Sequence, residues 1–491
     1  MKKLRNNKKR ILFILLGFIL ALAVFFTLRG SSLRAQSAIC LPNSWDPINC
    51  KRCNPYGTGW NTSCDTGAEY DECFDSLKHL SCEQFCAQTP TPTPILIPTP
   101  TPTPETCDPQ TSPCPQTWTF MFYSFNAPDL LGQEKTYIYD KIQEMIREQS
   151  PILRCINIVY SHKTYNTLSH NASCTTNVFK MNGSKLEEIT TQRTNNVVCP
   201  ELEDFIVNSQ NQYPADYFYL GLINHGDPTG IGILNNPYNG SRIMTHTQIA
   251  NAINLAVSQT DRRINVLEHI ACATGIVENS AELSENVDYL ISWQSSRPVN
   301  SYNFERITHY LNPCSNLSPA GLASGTSQGI CDTETSSAIA FSAVNLKTTP
   351  EINQKINGFF GKLANNCQET KNCAKKAVDE AQRTATLGTC PPSNPLCPKQ
   401  PIADLIDLAE KIIDNCSGVI DAQTQQEGID LINKAREAII NNCNRSRPEY
   451  GYDYSNAHGI AAYIPQTANQ ILSTSASLGQ GWINFLKCVL P

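Results

Sequence analysis

Residues 264–293 read INVLEHIACATGIVENSAELSENVDYLISW, and this stretch contains the alternation that decides the fold. Two apolar runs of strand length, Ile264–Ile270 and Tyr289–Trp293, flank a segment with helical spacing, Ile276–Leu283. A strand, a helix and a second strand in this order are typical of a parallel βαβ unit. The turn after the first strand contains Cys272, so the stretch also raises the question of a nucleophile.

The same alternation continues on both sides of this stretch. Further strands are predicted at Trp118–Phe125, Cys155–Tyr160 and Tyr217–Ile223, with helices at Tyr137–Glu148, Glu201–Ser209 and Thr247–Val257. The C-terminal third adds cysteine-rich helical segments and a late strand, around Ile352–Thr384, Ile402–Ile440 and Gly459–Ile464. We therefore predict an α/β domain with a mainly parallel sheet flanked by helices.

Length and charge bound the classes of function. A chain of 491 residues with 41% apolar residues exceeds one ordinary domain, so two or more units are expected. Its net charge of -6 gives no basic excess of the kind that a phosphate backbone selects. Nucleic acid is therefore not an expected partner.

The N-terminus has the composition of an export signal. Six cations lie in the first ten residues, and eighteen uncharged, mostly apolar residues follow at Ile11–Leu28. This length suits either a cleaved signal peptide or a retained membrane anchor, and we assign residues 1–36 to one or the other. The rest of the chain is then expected on the extracellular side of the membrane, anchored by this segment, or secreted.

Export changes the expected state of the 22 cysteines, because disulfides persist in oxidising compartments. Seven of them fall within residues 37–88, which have too few aliphatic residues for a core and are predicted to form a disulfide-stapled module. The spacings Cys50-x2-Cys53 and Cys82-x3-Cys86 could also hold zinc. The export signal and the single local histidine favour disulfides.

A linker separates this module from the α/β domain. Residues 89–106 are rich in alternating Thr and Pro, a composition that favours an extended polyproline II stalk. We assign residues 107–491 to the α/β domain and its cysteine-rich C-terminal region.

Two predicted strand ends carry residues suited to catalysis. The strand Tyr217–Ile223 is followed by Asn-His225-Gly226, and Ile264–Ile270 is followed by Ala-Cys272. Functional groups gather at the carboxyl ends of parallel strands, so His225 and Cys272 would meet if these strands are neighbours. A thiol nucleophile and its base require that arrangement. The backbone N–H groups of Gly226 and Cys272 would then form an oxyanion hole.

Each of these signals is weak by itself. A cysteine is most often half of a disulfide or a small buried residue, and His458-Gly459 repeats the His-Gly dipeptide after a polar stretch. His269 lies within the strand and is expected to point to the face opposite Cys272. Other histidines, including His246, stand in polar contexts and are expected at the surface.

The order of these segments resembles the clostripain family of cysteine peptidases. WTFMFYSFNAPDLL from Trp118, YPADYFYLGLINHG from Tyr213 and ACATGIVENSAELSENVDYLIS from Ala271 resemble three family segments. The resemblance implies a caspase-like fold and a cysteine-type endopeptidase that acts on proteins or peptides, with Cys272 as nucleophile and His225 as base. It implies no obligatory cofactor. Calcium dependence occurs in the family, but we find no convincing ligand spacing for it.

The chain departs from the family pattern at the substrate pocket. The family usually has an acidic residue two positions before the cysteine, and Ile270 occupies that position here. Ser292, Trp293 and Gln294 replace the family's next pocket segment, so we predict that these residues and Ile270 line the pocket. Without the acid, Arg and Lys substrates should be poor. Arg297 either binds an acidic substrate side chain or is a solvated loop cation.

Two functions follow from this sequence. The first is an exported, membrane-tethered cysteine endopeptidase that hydrolyses peptide bonds through a thioester. The alternative is a catalytically inactive, peptidase-like adhesion or recognition protein at the cell surface. The changed pocket and the many cysteines favour the alternative, whereas retention of both Cys272 and His225 favours the peptidase.

Overall fold

The computed structural model of the chain describes a set of residue ranges. These are 116–125, 151–165, 172–182, 185–194, 201–233, 242–297, 318–333, 337–384, 401–450 and 452–491, with three short strands and a few single positions before residue 151. The predicted signal or anchor segment 1–36, the Thr-Pro linker 89–106 and most of the predicted helix Tyr137–Glu148 lie outside the described residues. In the described part of the chain, no helix is both long and apolar enough to span a bilayer.

The chain divides into two units, Met1–Pro104 and Glu105–Pro491. In the first unit, the described residues form a three-stranded antiparallel sheet of β1 (Trp45–Asp46), β2 (Lys51–Cys53) and β3 (Trp60–Thr62). The finer boundaries that we assigned within each unit remain predictions.

The second unit is built on a nine-stranded mixed sheet with the order β16-β14-β13-β12-β8-β4-β5-β6-β7. Its strands are β4 (Trp118–Phe125), β5 (Ile156–Tyr165), β6 (Ala172–Asn182), β7 (Lys185–Thr194), β8 (Tyr217–Ile223), β12 (Ile264–Ile270), β13 (Val287–Trp293), β14 (Ile339–Asn345) and β16 (Ile439–Arg445). The five central strands, from β13 to β5, run parallel, and two antiparallel strands extend each side.

Smaller strands lie beside this sheet. The ribbon β9 (Gly226–Asp227), β10 (Gly230–Ile233) and β11 (Arg242–Thr245) follows β8 directly. A second, two-stranded sheet joins β15 (Ile402–Asp404) to β17 (Ala461–Tyr463).

Nine helices are described in the second unit. They are α1 (Leu202–Gln212), α2 (His246–Thr260), α3 (Val277–Leu283), α4 (Pro319–Thr333), α5 (Thr349–Asn365), α6 (Cys367–Glu380), α7 (Leu405–Asn415), α8 (Ala422–Ala438) and α9 (Gln480–Val489). Their ends follow from local sequence. For example, the Thr245 side chain and Gln248 form a capping box that starts α2, and Asp261 ends it with a left-handed φ of 56°.

The two faces of the sheet are buried in two apolar clusters. Leu220, Leu267 and Leu290 face the larger cluster, which includes α1, α2 and the C-terminal helices. Tyr219, Val266 and their neighbours face the second cluster, which α4 covers. Side chains alternate along each strand, so burial of both faces requires the nearly continuous apolar runs seen in β8 and β12.

Four disulfides reinforce the second unit. They join Cys114 to Cys155, Cys331 to Cys443, Cys367 to Cys488, and Cys373 to Cys416. Cys272 lies outside these pairs, half-buried and with its thiol retained. The expectation of a disulfide-containing protein is confirmed.

The predicted α/β class and mainly parallel sheet are confirmed. β4, β8 and β12 have the predicted bounds, while β5 begins one residue later and β13 two residues earlier than expected. The antiparallel strands β6, β7, β14 and β16 were not predicted.

Candidate active site

The ends of β8 and β12 meet in register. In this parallel pair Ile223 lies opposite Ile270, and the N–H of Asn224 donates to the carbonyl oxygen of Ile270 at 3.4 Å. His225 and Cys272 each follow two residues after that last pair. Both residues therefore leave the sheet at the same carboxyl edge, as the sequence predicted.

Backbone hydrogen bonds hold the turn that contains Cys272. The N–H of Ala273 donates to Ser295 O at 3.1 Å, and that of Gly275 donates to Trp293 O at 2.8 Å. Ala273 has a φ of 55°, in the left-handed region that non-glycine residues seldom adopt. The end of β13 thus holds a strained turn directly after the cysteine.

Gly226 allows the His225 segment to approach this turn. A Cβ atom at position 226 would lie 2.6 Å from the Cys272 carbonyl oxygen and 2.7 Å from Ala271 Cβ. The Asn224 side chain accepts a hydrogen bond from the N–H of His225 at 2.6 Å. After Gly226, Asp227 accepts bonds from Thr229 and Gly230 and so fixes the following turn.

Arg297 lies beside the sulfur of Cys272. Its backbone N–H donates to the Cys272 Sγ atom at 3.2 Å. Its guanidinium carbon lies 5.6 Å from the centroid of the Trp293 ring, within the range of a cation–π contact. Arg297 is half-buried, and its contact with substrate remains a prediction.

A buried carboxyl group lies on β12, the strand that precedes Cys272. Glu268 is fully buried in β12, and its Oε2 atom accepts a hydrogen bond from the Tyr219 hydroxyl. Burial raises the pKa of Glu268, while the positive charge of Arg297 and the Tyr219 bond oppose that rise. Sequence reasoning missed this group, although an acidic residue inside the apolar run INVLEHI was a signal that could have found it.

The four residues predicted to line the substrate pocket are all buried. Ile270 is 4% exposed, and its Cδ1 atom lies 3.1 Å from where a Cβ would stand on Gly221 in the neighbouring strand. Ser292 is buried within β13, and the Trp293 ring stacks on Phe341 with 4.6 Å between centroids. Their contact with substrate remains a prediction.

The fourth of these residues, Gln294, contacts the C-terminal part of the domain. Its Nε2 atom donates to Asp404 at 3.2 Å. Asp404 also accepts the backbone N–H of His458 at 2.7 Å and caps the first turn of α7. His458, the other histidine that precedes a glycine, therefore takes part in a structural contact through its backbone N–H.

A further buried acidic group near the turn is Glu278, in α3. It is fully buried and accepts the N–H of Tyr463 in β17 at 3.2 Å. Burial raises the pKa of Glu278 to about 7. The bond from Ala461 N to Gly275 O, at 3.2 Å, also joins β17 to the Cys272 turn.

The expected surface position of His246 is wrong. His246 begins α2 and is fully buried against His269 of β12, with 5.5 Å between the stacked rings. Burial lowers the pKa of His246 to about 4 and holds that of His269 well below its usual value, so both rings are neutral. The Nε2 atom of His246 lies 3.4 Å from the carbonyl oxygen of Asp227 in β9, so the ring also contacts the β9–β11 ribbon.

Among the residues that the structure describes, no three His, Cys, Asp or Glu side chains are grouped to hold a metal ion.

Comparison with known protein families gives a match that covers most of the second unit. The family model for the clostripain family, Peptidase C11, matches residues 131–471. That range contains both His225 and Cys272. Comparison with curated protein sequences gives no match.

Solved structures share the fold. A secreted C11 cysteine protease from Bacteroides thetaiotaomicron, iotapain, is 14% identical with a TM-score of 0.54, covering 74% of this chain and 100% of its own. A structure of a secreted C11 protease from the same organism with an irreversible peptide inhibitor is 16% identical with a TM-score of 0.50. That match covers 76% of this chain and 98% of the other.

Proposed function

This chain belongs to the clostripain family of cysteine peptidases, and we propose that Cys272 is its nucleophile and His225 its general base. The observation that carries the proposal is the register of β8 and β12. Ile223 opposite Ile270 brings the two following residues to one sheet edge. The thiol of Cys272 outside the four disulfides gives further support.

The proposed reaction is acyl transfer to water. His225 takes the thiol proton as the sulfur attacks the carbonyl carbon of the scissile peptide bond, giving a tetrahedral oxyanion. When the oxyanion collapses, the C–N bond breaks and the imidazolium gives its proton to the leaving amine. A water molecule, deprotonated by His225, then attacks the carbonyl carbon of the thioester. The C–S bond breaks, the carboxylic acid product leaves, and the imidazolium returns its proton to the sulfur. Apart from water and the substrate, the proposed steps use groups of the protein, and we expect no obligatory cofactor.

The oxyanion would be stabilised by backbone N–H groups of Gly226 and Cys272. The close approach of these two segments supports this assignment, because a Cβ at position 226 would meet the Cys272 carbonyl oxygen at 2.6 Å. Glycine also leaves the approach of a substrate carbonyl unobstructed.

We propose that this peptidase disfavours Arg and Lys before the scissile bond. Ile270 stands where the family usually has an acid, and an unpaired cation buried against it would be costly. Protein or peptide substrates with other side chains at this position are expected.

We also propose that the enzyme is exported, either secreted or tethered by its N-terminal segment. The cationic and then apolar composition of residues 1–28 supports this, as do the four disulfides of the second unit, which require an oxidising compartment to persist.

The test is turnover of a protein substrate by the full chain and three variants. Cys272→Ala and His225→Ala should abolish turnover while their thermal unfolding stays within a few degrees of the parent. His458→Ala is the matched control, because it removes the other histidine that precedes a glycine, and it should retain activity. Undiminished cleavage by Cys272→Ala would contradict the proposed nucleophile.

A further inference from the structure

The Asp404 side chain, at the end of β15, joins three parts of the second unit. It is fully buried, and its two oxygens have separate partners. The Oδ1 atom accepts the N–H groups of Ile406 and Asp407, each at 3.0 Å, and so caps α7. The Oδ2 atom accepts a hydrogen bond from Gln294 Nε2 at 3.2 Å and one from the backbone N–H of His458 at 2.7 Å. One oxygen therefore begins a helix, while the other joins two segments that are distant in sequence.

Gln294 begins the segment that holds the Cys272 turn, residues 294–297. The carbonyl oxygen of Ser295 accepts the N–H of Ala273 at 3.1 Å, and the last residue of the segment donates its N–H to the Cys272 sulfur at 3.2 Å. The position of the thiol therefore depends on how this segment is held.

The Gln294 side chain depends on Asp404 for its hydrogen bonding. Gln294 is fully buried, and its other amide atom, Oε1, has no hydrogen-bond partner among the described residues. Without Asp404 the whole amide would be unpaired away from water, which is costly, and movement of the segment toward solvent would relieve that cost. The contact with Asp404 thus keeps Gln294, and the residues that follow it, in place.

The acceptor in this contact is charged at neutral and alkaline pH. Burial raises the pKa of Asp404 to about 6, while the hydrogen bonds from Asp407, His458 and Gln294 oppose that rise. At pH 8 the carboxylate is therefore ionised. Hydrogen bonds to an ionised acceptor are stronger than those between neutral groups, so Gln294 is held firmly.

We propose that Asp404 is a positioning residue for the nucleophile. Through Gln294 it holds residues 294–297, and so keeps the Cys272 thiol where His225 can take its proton. This inference rests on the proposed function, since it takes Cys272 as the nucleophile and His225 as its base. Asp404 acts through another side chain and takes no part in the bond changes. The effect is large because a displacement of about 1 Å in a reacting group can slow a reaction by roughly a hundredfold.

The test is the rate at which iodoacetamide alkylates Cys272 in the full chain at pH 8. This reagent is small and has no substrate side chain, so its rate reports on the thiol and not on the substrate pocket. Mass spectrometry of the peptide that contains Cys272 gives the rate constant. In Asp404→Ala the rate constant should fall by about ten- to a hundredfold, as expected for a displaced nucleophile.

The matched control is Asp421→Ala. Asp421 caps α8 as Asp404 caps α7, and its side chain accepts the N–H of Thr424 at 2.6 Å. This variant also loses a helix cap, but at a different helix, so Cys272 should react within about twofold of the parent rate.

A second variant, Gln294→Met, breaks the same contact from the other side. Methionine keeps the length of the side chain and leaves the cap of α7 intact, but it cannot donate to Asp404. Alkylation of Cys272 should again be slower by about tenfold or more, as expected on loss of a hydrogen bond to a charged group. This variant decides the question if Asp404→Ala does not fold.

The double variant shows whether Asp404 acts through Gln294. Combining Asp404→Ala with Gln294→Met should slow alkylation no further than Asp404→Ala does, because residues in one hydrogen-bond network are not additive. With a protein substrate, kcat should fall in each single variant while KM changes by less than about threefold, as for an interaction that acts on the chemical step.

The outcomes separate this inference from the proposed function. A parental rate in Asp404→Ala or Gln294→Met, an equal loss in Asp421→Ala, or multiplied losses in the double variant would overturn the positioning role and leave the proposed function intact. An equal alkylation rate in the parent and His225→Ala would instead count against the proposed base, and so against the function on which this inference rests.

Discussion

A Cβ atom at Gly226 would lie 2.6 Å from the carbonyl oxygen of Cys272, so the two strand-end segments touch through their backbones. Gly226→Ala should therefore force the segments apart, since neither backbone can yield as a flexible side chain could. We expect a stability loss of about 1–3 kcal/mol, the usual cost of overpacking. Turnover per folded molecule should fall as well, because the proposed oxyanion donors separate.

The control for this substitution is Gly418→Ala. Position 418 has no heavy atom within 4 Å of an added Cβ, so this variant should unfold and turn over like the parent. Equal activity for the alanine variants at positions 226 and 418 would show that the close approach has no functional role.

Substitutions of Ala273 test the backbone strain in the turn after Cys272. Its φ of 55° suits glycine better than alanine, and Ala273→Gly should be neutral or stabilising by up to about 1 kcal/mol. Ala273→Val should be strongly destabilising, since a β-branched residue tolerates this conformation least. Thermal unfolding of both variants measures the difference, and destabilisation by glycine at least as large as by valine would contradict the strained geometry.

Glu278 should make stability depend on pH. Burial raises its pKa from the usual 4.5 to about 7, so between these values the folded state binds more protons than the unfolded state. Stability contributed by this group is then lost as the pH rises from 4.5 to 7. A tenfold change in proton affinity corresponds to about 1.4 kcal/mol, so the full loss is roughly 3 kcal/mol.

The variant Glu278→Gln keeps an acceptor for the N–H of Tyr463 and removes the titration. Its free energy of unfolding should exceed that of the parent above pH 7, and the difference should shrink as the pH falls toward 4.5. Parallel pH profiles for the two proteins would show that Glu278 does not titrate in this range.

The disulfide Cys331–Cys443 should contribute to stability because it joins α4 to an edge strand across 112 residues of sequence. Replacing both cysteines with alanine should cost about 2–5 kcal/mol, mainly through the greater freedom of the unfolded chain. Cys272→Ala, which removes a cysteine outside the four disulfides, is the control and should change the melting temperature little. An unchanged melting temperature in the double variant would contradict the pairing.

The sequence predicted the central strands because burial on both faces leaves a continuous apolar run, as in YFYLGLI and INVLEHI. It did not predict β6, β7 and β16, whose residues are largely polar, such as KLEEITTQRT and IINNCNR. Those strands owe their conformation to pairing with their neighbours at the sheet edges, and pairing between distant segments is not visible in local composition.

The same contrast holds at the site. The meeting of the His225 and Cys272 segments at one sheet edge could be predicted because each follows a recognisable strand, and parallel neighbours bring their ends together. The packing of Ile270 across Gly221 and the position of Arg297 over Trp293 depend on which strands are adjacent and how the chain turns after β13. His246 was misplaced for the same reason, since its polar neighbours in sequence are not its neighbours in the fold.

The pairing of Cys272 with His225 is tested most directly by the site and rate of covalent modification by a peptidyl acyloxymethyl ketone. The residue next to the ketone should be uncharged, so that the result does not depend on Arg297. We predict one adduct, on Cys272, and a reaction slower by roughly a hundredfold or more in His225→Ala, as expected on loss of a general base. His458→Ala should react like the parent. Modification of a different cysteine would contradict the assignment of Cys272 as nucleophile, and an equal rate in His225→Ala would contradict the assignment of His225 as base.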